Sequence, residues 1–257
     1  MRRALAVAAK APQPGRVKTR LLPFLAAEDA TELYRCFLKD TIALMETVPA
    51  ADVVISYTPE GAERFFDGVI SGRHRLLPQR GGDLGERLCF ALEDLLAEGY
   101  DSAAIMDSDS PTLPHTYLEQ TFDLLAAPGD RVVLGPATDG GYYLIGLKRP
   151  HRRLFQDISW SSGRVLDESI QRAREIGLEV ALLPEWYDVD QASDFDRLMQ
   201  ELRPGNSNGG DPANARARES GAHLDGNGLA ANTRAFISAF NLSGHLAVKT
   251  RRGDGPD

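Results

Sequence analysis

Short apolar runs alternate with amphipathic stretches of helical length from Leu5 to Leu202, and this alternation narrows the fold more than any other feature. Leu5 to Ala9, Asp52 to Tyr57, Arg75 to Pro78, Ala103 to Met106, Arg131 to Gly135, Tyr142 to Leu147 and Leu178 to Leu183 read as strands. Between them, Glu28 to Thr47, Glu60 to Phe66, Asp83 or Leu84 to Glu98, Pro114 to Ala126 and Arg164 to Ile176 read as helices. A last helix is expected from an N-cap at Ser193 to Leu202. Strands that alternate with helices predict an α/β domain, with a mostly parallel sheet covered by helices on both faces.

The strand Ala103 to Met106 stops at Asp107-Ser-Asp-Ser-Pro111. In open α/β sheets, ligands collect outside the carboxyl ends of the strands. Two aspartates on alternate positions are hard oxygen donors, which Mg²⁺ or Mn²⁺ accepts when phosphates complete its shell. The same residues would also serve as a helix N-cap, with Asp109 or Ser110 capping a helix that starts near Pro111 or Pro114. The metal reading gains weight only if a phosphate-gripping loop and a distant acidic partner occur elsewhere.

Both have candidates. The first strand runs into Lys10-Ala-Pro-Gln-Pro-Gly-Arg-Val-Lys-Thr-Arg20, a Pro/Gly-framed loop with Lys10, Arg16, Lys18 and Arg20. Cations there suit a polyphosphate, and Gly15 lets the backbone approach a ligand closely. It is not a P-loop, because the Gly-Lys pair and the earlier glycine are missing. A charge run of this kind can also be only a solvated loop. The acidic partner is Asp188-Val-Asp190, which alternates like the first pair.

Three further segments are open to two readings. Gly81, Gly82, Asp83 and Gly85 could meet a base or ribose through backbone amides, or simply precede a helix. Thr138-Asp-Gly-Gly141 is a tight turn, yet it places Asp139 where an acceptor substrate could reach the metal site. Trp160 reads as a lid, a stacking surface or a core residue.

The 257 residues carry a net charge of −8, which argues against general nucleic-acid binding. With 42% hydrophobic residues, a sizeable core is expected. Cys36 and Cys89, the two cysteines, sit in apolar helical patterns and read as buried thiols. The apolar run after Met1-Arg-Arg is too short for a signal peptide and reads as the first strand. No run approaches the length of a membrane span, so the expected compartment is the cytoplasm. From Arg203 onwards Ser, Gly, Asn and Arg dominate. Residues 1–202 are therefore expected to form the catalytic domain, and 203–257 a flexible low-complexity tail with at most one short helix between Thr233 and Val248.

Five segments in order resemble a known family: Lys10-x-Pro-x-Pro-Gly-x-x-Lys-Thr-Arg20, Asp107-Ser-Asp109-x-Pro, Gly135-Pro-x-x-Asp-Gly-Gly-Tyr-Tyr-Leu-Ile-Gly-Leu147, Asp157-Ile-x-Trp-Ser and Asp188-Val-Asp190. They are similar to the bacterial radical-SAM/selenodomain-associated transferases of the GT-A superfamily, some of which are termed arsenosugar-biosynthesis glycosyltransferases. The first loop is also similar to those of phospholactate and molybdenum-cofactor guanylyltransferases. The resemblance covers about residues 2 to 202 and implies a nucleotide-diphospho-sugar transferase fold.

The leading expectation is thus a metal-dependent glycosyltransferase that moves a sugar from a nucleotide-sugar donor to a small-molecule acceptor. Asp107 and Asp109 would hold Mg²⁺ or Mn²⁺ on the donor diphosphate, with Asp190 as a further ligand or positioning group. Lys10, Gly15, Lys18, Arg20, Gly82 and Asp83 are the nucleotide- and phosphate-binding candidates, with Lys18 also stabilising the departing nucleotide. Asp139 is the candidate for orienting or deprotonating the acceptor hydroxyl. The alternatives are a nucleotidyltransferase, in which an acceptor phosphate attacks an NTP and releases pyrophosphate, and a non-catalytic nucleotide-binding protein.

Overall fold

The computed structural model describes residues 1–70, 74–203 and 230–242. The strands are β1 (Arg3–Lys10), β2 (Ala51–Thr58), β3 (Arg75–Pro78), β4 (Ser102–Met106), β5 (Arg131–Pro136), β6 (Tyr142–Leu147) and β7 (Glu179–Leu182). They form one seven-stranded sheet in the order β3-β2-β1-β4-β6-β5-β7. Every neighbouring pair is parallel except those made by β6, which runs antiparallel to both β4 and β5. The fold is therefore α/β with a mostly parallel sheet. Ser102–Met106 and Arg131–Pro136 are buried at every position, as strands covered on both faces must be.

The α-helices are α1 (Ala27–Met45), α2 (Leu84–Ala97), α3 (His115–Ala126), α4 (Val165–Glu175), α5 (Ala192–Glu201) and α6 (Ala231–Leu242). Short 3₁₀ turns cover Thr19–Leu21, Glu63–Phe66 and Arg152–Phe155. Two apolar clusters occupy the two faces of the sheet. One joins Leu5, Val7 and Ile55 to Phe37 of α1, Phe122 of α3, Phe195 of α5 and Ile237 of α6. The other joins Ala4, Ala6 and Ile105 to Leu92 of α2 and Ala173 of α4.

Three expectations shift in detail. Glu60–Phe66 shortens to the 3₁₀ turn Glu63–Phe66. The cap of α5 is Gln191 in a capping box with Asp194, not Ser193. Within the stretch expected as a flexible tail, α6 is instead a docked helix. The buried Asp40 of α1 caps its N-terminus, accepting from the amides of Asn232 (2.9 Å) and Thr233 (2.8 Å), Asn232 Nδ2 (2.8 Å) and Thr233 Oγ1 (2.6 Å). A carboxylate there satisfies orphan helix donors and complements the positive end of the helix dipole. The rest of the expected tail, 204–229 and 243–257, lies outside the described residues. No helix among the described residues is long and apolar enough to cross a membrane.

Candidate active site

The carboxyl ends of β1 and β4 lie side by side, with Val7 opposite Met106. The loop after Lys10 and the Asp107–Asp109 turn therefore emerge at one edge. Because β6 runs backwards, its first residues meet the end of β4: Leu144 pairs with Met106, and the Asp107 amide donates to the Tyr143 carbonyl (2.8 Å). That reversal carries the Thr138–Gly141 turn, and with it Asp139, to the same edge. After β7 the chain runs on along β5, with Ala137 bridged to Trp186, and crosses to the Asp107–Asp109 turn, where the Val189 amide donates to the Asp109 carbonyl (2.9 Å).

The result is a cleft of about 430 Å³ whose lining includes Arg20, Asp107, Asp109, Asp139, Asp188 and Asp190. Asp107 is held in place by two donors: the Asp109 amide (3.1 Å) and Ser110 Oγ (3.1 Å). Its carboxyl is nevertheless pushed well above the ordinary aspartate value, first by burial and then by the charge of Asp109. The Asp188 carboxyl is pushed up to about 6, by burial first and then by Asp190, Asp139 and Asp109. Both shifts come from burial first and from the crowding of like charges second.

Lys18 departs from its expected role, and Asp190 makes the contacts of the positioning group rather than those of the metal ligand. The Lys18 side chain is only 3% exposed, and its Nζ contacts Asp109 Oδ1 (2.8 Å), Asp190 Oδ1 (3.0 Å) and the Val189 carbonyl (2.8 Å). Burial alone would lower its pKa, but the two carboxylates outweigh that and raise it. Its backbone is left-handed, with φ of 48°, an arrangement that lysine adopts only where the surroundings demand it. Lys18 is thus committed to a buried ion-pair network and is not presented to the cleft as a phosphate ligand. Asp190 spends its oxygens on Lys18 and on Arg20 Nη1 (3.5 Å). Burial would raise its pKa, yet Lys18, Arg20 and Lys10 hold it below the ordinary value.

The remaining candidates divide. Arg20 lines the cleft with a 64% exposed side chain, so its guanidinium can reach a ligand. Asp139 lines it too, held by the Gly141 amide on Oδ1 (2.8 Å). Gly140 must be glycine: φ is +87°, and a Cβ would stand 2.2 Å from the Gly163 carbonyl oxygen. Lys10 and Gly15 are exposed but do not line the cleft, and neither do Gly82 and Asp83. Asp83 is the N-cap of α2 and accepts from the Glu86 amide (2.8 Å), while Glu86 returns a carboxylate to the Gly82 amide (2.8 Å). The helix-capping reading describes those two residues.

Sequence reasoning placed Asp188 in the acidic partner Asp188-Val-Asp190 but named only Asp190 as a further ligand. It also missed Tyr34, which links the two central strand ends. The Lys10 amide donates to its hydroxyl (3.0 Å), which is 3.1 Å from Ser108 Oγ. A tyrosine inside an amphipathic helix carries no sequence mark of that kind.

The residues fit a divalent cation of the open, phosphate-completed type. Among the described residues no three His, Cys, Asp or Glu side chains are already gathered at ligand spacing. Asp107, Asp109 and Asp188 supply hard oxygens in a cleft with excess negative charge, and ligand oxygens and water would complete the shell.

The family described as "Uncharacterized protein conserved in bacteria (DUF2064)" matches residues 41–162. Among solved structures, the chain is similar to a protein from Desulfovibrio desulfuricans G20 assigned as a nucleotide-diphospho-sugar transferase. That protein is 30% identical over 93% of this chain and 99% of its own, with a TM-score of 0.74. The fold is shared more distantly with a CMP:2-keto-3-deoxy-manno-octonic acid synthetase complexed with CTP, at 12% identity over 77% of this chain and 97% of that one, TM-score 0.51. It is shared likewise with the 4-diphosphocytidyl-2C-methyl-D-erythritol synthase of Anaerococcus prevotii DSM 20548, at 11% identity over 79% and 96%, TM-score 0.52. No curated protein sequence matches the chain.

Proposed function

We propose that this chain is a metal-dependent glycosyltransferase, from the premise that it belongs to the same family as the Desulfovibrio protein assigned as a nucleotide-diphospho-sugar transferase. The single observation that carries this reading is the gathering of Arg20, Asp107, Asp109, Asp139 and Asp188 in one cleft at the carboxyl edge of the sheet. The five sequence motifs further support a place near the radical-SAM/selenodomain-associated transferases. The donor is a nucleotide sugar and the acceptor a small molecule.

Asp107, Asp109 and Asp188 would hold Mg²⁺ or Mn²⁺, which when bound neutralises the donor diphosphate and eases its departure. Arg20 donates to the diphosphate oxygens from the exposed side of the loop. Lys18 acts one step back: it fixes Asp109 and Asp190, and through Asp190 it orients Arg20. Asp139, oriented by the Gly141 amide, takes the proton of the acceptor hydroxyl as the new oxygen–sugar bond forms. The bond from sugar to diphosphate breaks, and the nucleoside diphosphate leaves with its charge met by Arg20; a cation held by Asp107, Asp109 and Asp188 would supply further charge neutralisation. Domain limits of 1–202 for this catalytic unit, with α6 packed onto it, accompany the proposal.

The test is donor turnover across a panel of nucleotide sugars with Mg²⁺ or Mn²⁺. If no donor turns over and none binds in a metal-dependent way, the reading fails. A second reading, nucleotidyl transfer, draws on the exposed cations Lys10, Arg16 and Arg20 of the first loop, which suit a triphosphate. Pyrophosphate release from GTP or CTP with phosphorylated acceptors would favour it instead.

A further inference from the structure

The lining of the cleft is of two kinds. Arg20 and the aspartates supply charge. Leu84, Leu88, Tyr142, Trp160 and Val165 supply an apolar wall. Leu84 is 46% exposed although large and apolar, and a solvent-facing leucine inside a concave wall marks a surface shaped for a ligand.

The wall is fixed. Trp160 meets Tyr142 edge to face, with centroids 6.4 Å apart and planes at 80°. Its indole lies so close to α2 that a Cβ on Gly85 would come within 2.6 Å of it. The following residues press equally hard on the turn that carries Asp139, through the Gly140–Gly163 contact. Two glycines, one on each side, therefore wedge the segment 160–163 between helix and turn. Trp160 is a rigid surface, not a hinged lid, and it neighbours the turn of the candidate base.

Charge decides what can lie there. Among the described residues lining the cleft, Arg20 is the single cation, against five aspartates. A phosphorylated group against Trp160 would meet Asp139, and the single lining cation that could offset it, Arg20, is taken by the donor diphosphate.

We infer that this wall is the acceptor subsite, and that it takes an uncharged acceptor whose nucleophilic hydroxyl sits beside an apolar or aromatic ring. The inference rests on the glycosyltransferase reading for the word acceptor, but the binding it describes needs no donor. The ring stacks on Trp160 and packs against Leu84 and Leu88. Its hydroxyl then points to Asp139, and the charged lining of the cleft is left to the diphosphate.

Trp160 can report on its own occupancy. The chain has two tryptophans, and Trp186 is buried at 5% exposure. In a Trp186→Phe protein, emission is followed during titration with 2-phenylethanol, glycerol, glycerol 3-phosphate and the nucleosides cytidine and guanosine. A saturable shift with 2-phenylethanol, and none with glycerol 3-phosphate, is expected. Should Trp186→Phe fail to fold, saturation-transfer NMR of the phenyl protons on the unsubstituted chain replaces it. Trp160→Ala should weaken 2-phenylethanol binding roughly tenfold, the loss of one stacking contact. The inference is overturned if 2-phenylethanol gives no saturable signal, or if glycerol 3-phosphate binds as well. Displacement of 2-phenylethanol by a nucleoside also overturns it, because the wall would then hold the base. Failure of the transferase reading registers separately, as no thermal stabilisation by any nucleotide sugar with Mn²⁺ while 2-phenylethanol still binds.

Discussion

Replacing Lys18 by methionine removes the ammonium and keeps an unbranched apolar stem over the Phe37 ring, where Nζ now lies 5.6 Å from the centroid. Both residues suffer the same left-handed backbone, so the difference isolates the charge. Stripping one partner from a fully buried ion pair costs about 3–5 kcal/mol. Here Asp109 and Asp190 retain 29% and 37% exposure, so water can replace part of what the ammonium supplied. Discounting for that screening leaves about 2–4 kcal/mol. In a domain of this size the loss lowers Tm by roughly 4–16 °C. Urea denaturation with an unchanged m-value would measure it. The sign with pH follows from Asp190, whose folded pKa is held below its ordinary value. Its contribution is present above the unfolded pKa of about 3.9 and lost as pH falls through the folded value. Lys18, with its pKa raised, contributes fully below the unfolded value of about 10.4 and loses its contribution only as pH rises through the folded one. The gap between wild type and variant should therefore be widest near neutrality and close below about pH 4. A stability within about 0.5 kcal/mol of wild type, with only donor affinity reduced, would refute the structural role and restore Lys18 as a phosphate ligand.

The other expectations can be checked alongside. Asp40→Ala removes the acceptor for four donors at the start of α6 and should cost about 2 kcal/mol, with hydrogen exchange rising selectively over residues 231–242. Gly140→Ala forces a Cβ towards the Gly163 oxygen at φ of +87° and should destabilise by at least about 2 kcal/mol in calorimetry, while also weakening acceptor turnover because Asp139 shifts. Mn²⁺ should raise the Tm of the wild type, and Asp107→Asn should abolish most of that rise; an equal rise in both would remove Asp107 from the metal shell.

Much of the fold was legible because each core strand is a short apolar run and each helix carries one apolar stripe. The strands β3 and β6 fall where the pattern places them, at Arg75–Pro78 and Tyr142–Leu147. Local chemistry blurred the rest. Ser193 looked like the cap of α5, but the capping box Gln191–Asp194 satisfies more backbone donors. The docking of α6 was hidden, because a helix of modest amphipathicity follows a polar stretch and its partner, Asp40, is 191 positions from Ala231.

At the site, residue types were readable but roles were not, and the cause is the sheet order. Alternating aspartates at 107/109 and 188/190 announce a cluster of charge. Only the placement of β1 beside β4 decides that Lys18 falls between Asp109 and Asp190, and so becomes a buried counter-ion. That step transfers the open-donor role from Asp190 to Asp188, whose carboxyl makes no salt bridge among the described residues and is pushed up to about 6. The same logic brings in Asp139. In a wholly parallel sheet the turn before β6 would lie at the opposite edge, and the residue would be turn chemistry and nothing more. Because β6 is reversed, the turn shares an edge with Asp107, and a strand direction that leaves no trace in local sequence decides whether Asp139 can meet a substrate.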